Sequence, residues 1–314
     1  MEYFPNEILI EIFKYFDIQE LFQAFYNLNS RFNILLHSLN NLSLTLTKIN
    51  YNINKIPIDC ISILIINEIQ IELDQFTHIR CLILTIPFYR QIHQLSTHTF
   101  PYLEHLSINF LTQSFPYNIF NIYNKIFSNE FPCLKSSYLQ QAEVIHRFET
   151  WKETLSLRKL KVGKINIFTY KAILSSCPNL YYLKFIKNIS KGILLPDKTH
   201  VNLKKMIIEL PLWNSYTLSE MNNFLSYVPN LEQFSIYHAE FCADINGYLS
   251  YDWLSSSINS YLPLLHSFKY YFELFYFGLS NTYDMENILS QIKEHFKKVH
   301  NNQYQCRLTI IERI

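Results

Sequence analysis

Glycine is almost missing from this chain: Gly163, Gly192, Gly247 and Gly278 are the four in 314 residues, and each stands alone. There is accordingly no G-x-G-x-x-G and no G-x-x-x-x-G-K, the loops that bring backbone N–H groups against phosphates. No G-x-S-x-G turn raises a serine nucleophile. Cysteine is sparse and scattered over Cys60, Cys81, Cys133, Cys177, Cys242 and Cys306, with no C-x-x-C pair. A chain this long needs no covalent staples, so reduced core thiols in cytoplasm or nucleus are expected. His93, His98 and His105 lie near one another without an H-E-x-x-H or a Cys/His quartet, so neither metal nor cofactor is expected. Lone carboxylates such as Asp244, Asp252 and Asp284 read as turn or cap residues. No apolar run approaches the ~18 residues of a membrane-spanning helix. Glu2, Glu7 and Glu11 interrupt the start of the chain, where a secretory leader would be apolar. With these motifs absent, no residue is expected to be catalytic.

Apolar and aromatic residues, in contrast, are plentiful, at 49% and 16% of the chain. That supplies a large core and argues against bulk disorder. The length fits one small module followed by one large domain. The formal charge is only +1, but it is unevenly spread. Residues 152–205 hold twelve Lys or Arg against Glu153 and Asp197, which makes that window +10 and the remainder −9. Such asymmetry marks either a solvated lysine face or a site for partners of opposite sign. A near-neutral total weighs against nucleic acid as the partner.

The first forty residues carry the densest local signals. Pro5 suits the first turn of a helix, where its missing N–H is no loss, and Glu7 follows where the helix dipole favours an anion. Ile8, Leu9, Ile12, Phe13 and Phe16 recur at helical spacing. Asp17 with Glu20 three residues on forms a capping box for a second helix through Leu21, Phe22, Ala24, Phe25 and Leu28. Asn29 or Ser30 caps a third, through Phe32, Leu35 and Leu36. Three helices of this size cannot hide all these side chains among themselves; Phe4, Ile10, Phe16 and Phe22 exceed such a core.

After residue 41 one pattern returns: an anchor, two variable residues, an apolar residue, one variable residue and another apolar residue. It is clearest at Leu180-x-x-Leu183-x-Phe185 and Leu231-x-x-Phe234-x-Ile236, each preceded by Pro-Asn. Further copies start at Leu103, Leu157, Leu203 and Leu265, and weaker ones at Ile61, Ile79 and Leu134. Anchors 134, 157, 180 and 203 are spaced by 23 residues; later gaps widen to 28 and 34. A recurrence of ~20–29 residues in this form signals leucine-rich repeats, each a short strand and a return segment that buries its inner face on its neighbours. Return helices are expected through Phe168, Ala172, Ile173 and Ser176, from a cap at Thr217 through Leu218, Met221 and Leu225, through Ile119 to Phe127, and from Met285 to Val299 before a last strand at Leu308–Ile311.

Residues 4–32 resemble an F-box. Pro5, Glu7, Ile8, Leu9, Ile12, Phe13, Tyr15, Asp17, Leu21, Ala24, Leu28, Arg31 and Phe32 follow that family's pattern in order, with Phe4 and Phe16 in place of leucines. Together with the repeats, the chain is similar to the F-box plus leucine-rich-repeat class. The resemblance implies an α/β fold in which a three-helix F-box (residues 1–40) precedes an irregular leucine-rich-repeat solenoid (residues 41–314). It implies docking to the small adaptor of SCF (cullin-based) ubiquitin ligases through Pro5, Ile8, Leu9, Ile12, Phe13, Phe16, Leu21 and Phe32. The repeats would then hold a protein substrate, making the chain a non-catalytic receptor; a scaffold that does not promote ubiquitination is the alternative. Strand register turns Lys159, Lys161, Tyr182, Lys184, Lys205 and Tyr237 outward, a basic and aromatic set suited to an acidic or phosphorylated peptide.

Overall fold

The computed structural model describes residues 3–39, 42–47, 56, 58–109, 116–140, 151–187, 198–210, 218–241, 252–276, 282–300 and 304–312. The chain is α/β and forms two compact units, Met1–Ala142 with Thr154–Leu157, and Glu143–Glu153 with Arg158–Ile314.

The first unit opens with helices α1 (Asn6–Phe13), α2 (Ile18–Phe25) and α3 (Ser30–Ser38). Pro5 takes the N-cap of α1, one place before the first turn expected for it. The Asp17–Glu20 capping box is present at α2: Asp17 Oδ1 accepts from the Gln19 N–H at 2.8 Å, and the Asp17 N–H donates to Glu20 Oε2 at 3.1 Å. Asn29 caps α3 by accepting from the Phe32 N–H at 3.0 Å. Between α2 and α3 the chain reverses at Asn27, whose φ of 63° is left-handed and tolerated by asparagine. Arg31 ties α3 back to the start of α1 by donating to Asn6 Oδ1 at 2.9 Å and to the Phe4 carbonyl. Phe13, Phe25 and Phe32 fill the centre, with ring centroids 5.0–6.4 Å apart.

Strands β1 (Leu42–Leu46), β2 (Ile61–Asn67), β3 (Cys81–Thr85), β4 (His105–Asn109) and β5 (Ser136–Gln140) follow, each parallel to the next in sequence. Helices α4 (Tyr89–Gln94) and α5 (Pro116–Phe127) lie on the return segments. Asp17 also joins the helices to this sheet, because its second carboxylate oxygen accepts the Thr45 N–H at 3.1 Å. Gln19 adds a bond to the Thr45 carbonyl at 3.3 Å.

The second unit repeats the scheme with β6 (Lys159–Ile165), α6 (Ile167–Ser176), β7 (Tyr182–Lys187), β8 (Lys205–Leu210), α7 (Leu218–Leu225), β9 (Gln233–Phe241), α8 (Asp252–Tyr261), β10 (Ser267–Tyr276), α9 (Thr282–Val299) and β11 (Gln305–Glu312). Its strands are likewise parallel and paired in chain order. The Thr217 cap expected for α7 lies outside the described residues.

A single backbone device recurs at the strand starts. The carbonyl of the residue directly after an anchor accepts two successive N–H groups from the next repeat. Tyr181 takes Lys204 and Lys205, Lys204 takes Glu232 and Gln233, and Glu232 takes His266 and Ser267; Glu104 does the same with Lys135 and Ser136. The anchors Leu103, Leu134, Leu157, Leu180, Leu203 and Leu231 are buried beneath these turns. Each apolar anchor therefore marks both a buried side chain and the register of the next strand.

Within α6 the observed inner face differs from the expected stripe. Phe168 is half exposed, whereas Tyr170 has no exposed surface and sits among Phe185, Phe224 and Tyr227, at 4.9–5.9 Å between centroids. Its hydroxyl donates to the Phe224 carbonyl at 3.1 Å, which satisfies the polar end and lets a tyrosine fill a core position.

Candidate interaction surfaces

Two surfaces follow from this architecture, one in each unit. On the helices of the first unit, four of the eight residues singled out by the resemblance are fully or almost fully buried: Leu9, Phe13, Leu21 and Phe32. They build the core, so any part they have in docking runs through the shape of the helices. Ile12 is half-buried, while Pro5, Ile8 and Phe16 are exposed. Phe22, expected in excess of the core, is buried and packs on Tyr26 at 5.4 Å. Leu28 and Ile34 are instead the apolar side chains most open to solvent on α3 and its approach, at 61% and 69% exposed. Leu28 belongs to the F-box pattern, but helical spacing alone assigned it to the α2 stripe; α2 ends at Phe25, which frees it.

In the second unit, all six expected residues come to one face. Lys159, Tyr182 and Lys205 are register partners on β6, β7 and β8, and Lys161 pairs with Lys184 one row along. Tyr237 follows on β9, opposite Glu209 of β8. Lys205 Nζ lies 5.9 Å from the Tyr182 ring centroid and Lys184 Nζ 5.8 Å from that of Tyr237, both within cation–π reach. Tyr237 stacks on Tyr271 of β10 with centroids 4.3 Å apart and planes within 4°. Burial first, and the neighbouring Tyr271 phenol second, hold the Tyr237 hydroxyl above its ordinary pKa. Partial burial, and then the Lys184 charge, push the Lys161 ammonium below its ordinary value.

Two members of this face escaped sequence reasoning. Glu209 pairs with Lys184 at 2.6 Å, so part of the basic charge is answered within the sheet. Lys164 joins the outer face because the register shifts between Lys161 and Lys164, placing Val162 and Gly163 side by side in the interior. The adjacent Val-Gly pair, which breaks the alternation, was the available signal for that bulge.

Among the described residues no group of three or more His, Cys, Asp or Glu could hold a metal ion. Among them, too, no helix is long and apolar enough to cross a membrane. Cys177 is a fully buried thiol that burial raises far above the pKa of a reactive one. What both surfaces offer is contact area, apolar on the helices and cationic-aromatic on the strands. No protein-family model matches the chain, and a search of curated proteins finds no match to it.

Proposed function

We propose that this chain is a substrate receptor of an SCF-type ubiquitin ligase, with an F-box in its first forty residues and degenerate leucine-rich repeats after them. The helices dock the small adaptor and, through it, a cullin; the repeats hold a protein substrate. The observation that carries the reading is the opening of the chain. Three short helices, the second and third capped by side chains, stand over the F-box-like stretch and leave Ile8, Phe16 and Leu28 in solvent. Parallel strands in chain order, started by buried leucines, support the repeat part. The role is proximity. A receptor raises the effective concentration of substrate near a charged conjugating enzyme, which accelerates transfer without a catalytic group of its own.

The test is co-expression of the full chain with the small SCF adaptor, followed by co-purification and cullin recruitment. The informative variant is Ile8→Glu/Leu28→Glu, because both side chains are exposed and their replacement spares the Phe13–Phe25–Phe32 core. Capture by the native chain and at least ~10-fold weaker capture by the folded variant is expected, since each charge buried at an interface without a partner costs more than ~1.4 kcal/mol. A folded native chain that captures no adaptor would overturn the docking role and leave the scaffold reading.

A further inference from the structure

β1 stands at the end of the strand order, paired with β2 alone among the described strands. An end strand offers a row of backbone N–H and C=O groups to any further strand, and chains guard such rows with charge, proline, bulges or a covering element. β1 itself carries little of this. Leu42–Leu46 reads Leu-Ser-Leu-Thr-Leu, without a charge or a proline. The one irregularity of its pairing lies on the β2 side, where Leu42 faces Ile61 and Ser43 faces Ile63. The guard comes from α2. Asp17 Oδ2 accepts the Thr45 N–H at 3.1 Å, and Gln19 Nε2 donates to the Thr45 carbonyl at 3.3 Å. The two backbone groups of one strand residue point to the same side, here away from β2, and both are taken by side chains where a further strand would bond. The turn that holds them is itself fixed. Asp17 Oδ1 accepts the Gln19 N–H at 2.8 Å, and the Asp17 N–H donates to Glu20 Oε2 at 3.1 Å. Ile18 and Leu21 of α2, and Leu44 and Leu46 of β1, have no exposed surface, so burial holds both elements where these bonds need them.

We propose that the first turn of α2 is an edge lock, which keeps β1 of one chain from pairing with β1 of a second copy. The partner it excludes is this chain itself, because β1 is complementary to itself. Backbone groups alternate sides along a strand, so Ser43 presents its N–H and C=O on the same side as Thr45. Antiparallel pairing about a two-fold axis at Leu44 sets Ser43 of each copy opposite Thr45 of the other, as a hydrogen-bonded pair. The same register sets Leu42 opposite Leu46 and Leu44 opposite Leu44. These leucines are the buried side of β1, so two copies would align leucine row with leucine row and hydroxyl row with hydroxyl row, with no like charges opposed. While Asp17 and Gln19 hold Thr45, that pairing has no donor or acceptor at its centre. The lock is a second duty of the opening helices and does not rest on their docking an adaptor.

The experiment compares the full chain with its Asp17→Ser/Gln19→Leu variant by amide hydrogen exchange and sedimentation velocity. Serine caps a helix about as well as aspartate, and leucine is as good a helix former as glutamine, so α2 is kept. One short hydroxyl cannot serve both the N–H of residue 19 and that of Thr45, and leucine offers the Thr45 carbonyl nothing. In dilute solution the Thr45 amide of the variant should exchange at least ~10-fold faster than in the native chain. At higher concentration the variant should form a dimer beyond any association of the native chain. Adding Thr45→Pro should return the folded variant to the native association state, since proline removes the donor on the open side and an edge strand tolerates it. Thr45 exchange as slow in the variant as in the native chain overturns the proposal. So does association no greater than native, or a dimer that survives Thr45→Pro. Far-UV circular dichroism checks each fold. Should the double variant unfold, Gln19→Leu alone carries the test, with a smaller shift of both readouts expected and no shift overturning the lock.

Discussion

The outer strand faces of the two units are built by the same alternation and end up chemically opposite. On β2, β3 and β4 of the first unit the outward residues are Ile63, Ile65, Asn67, Cys81, Ile83, Thr85, His105, Ser107 and Asn109, without a Lys, Arg, Asp or Glu. On β6, β7 and β8 of the second, five of nine are lysines. The first unit keeps its charges just before the strands and neutralises them there: Glu104 meets Lys135 at 2.7 Å and Arg80 at 3.7 Å. Most inward residues of both units are aliphatic or aromatic and answer the same demand for burial, although Ser137 and Lys187 are buried with them. Folding therefore explains the two interiors but not the lysine face, whose opposed charges cost stability.

If the contrast belongs to the faces, the two cores should respond alike. Tyr170→Ala in the second unit should cost about 3–5 kcal/mol, and Leu106→Ala in the first about 2–5 kcal/mol, read from denaturant unfolding. An indifferent core in either unit would break the comparison at its root, since one region would then not be packed as described.

A pH effect of intermediate size should arise in the second unit at His200. The ring is buried between repeats, with Nε2 donating to the Cys177 carbonyl at 2.9 Å and Nδ1 accepting the Leu203 N–H at 3.0 Å. That pairing needs the neutral ring, and burial lowers the pKa below the ordinary 6.5. The unfolded chain then binds more protons than the folded one between the lowered value and 6.5. Stability is complete above that ordinary value and falls as pH drops through the window towards the folded one. Urea midpoints at pH values spanning this window should decline with acid, and His200→Gln should flatten the profile. An unchanged slope in the variant would remove His200 as the cause.

The smallest effect concerns the two acids. Glu209→Gln should cost only about 0.2–1 kcal/mol, because its pair with Lys184 is about a third exposed. Added salt should then stabilise this variant, by screening lysines that have lost their counter-charge. Glu104→Gln should cost a similar few tenths of a kcal/mol with a weaker salt response, because Arg80 and Lys135 sit beside an uncharged face. Equal salt responses would erase the distinction between the units.

Much of the architecture was legible because its signals are local. The capping box at Asp17 and Glu20 and the cap at Asn29 act within three residues, so spacing alone locates α2 and α3. The anchors Leu180, Leu203 and Leu231 announce strands for the same reason, since each is buried just before its strand begins. The lysine face was legible in outline because alternation turns Lys159, Lys161, Lys184 and Lys205 one way. Lys164 was not, because the bulge that turns it outward depends on how β6 registers with β7. Nor was Tyr170, whose burial requires an acceptor on Phe224 fifty-four residues later.

The sequence by itself determined that the chain is α/β, where its first helices are capped and where its strands start, since short-range hydrogen bonding and hydrophobic spacing decide these. Tertiary structure alone decided which residues of those elements meet solvent. It buried Leu9 and Phe13 while exposing Ile8, Leu28 and Ile34, and it gave Lys184 its partner in Glu209. A helix or strand specifies the directions its side chains take, but the element packed against it settles which direction is inside.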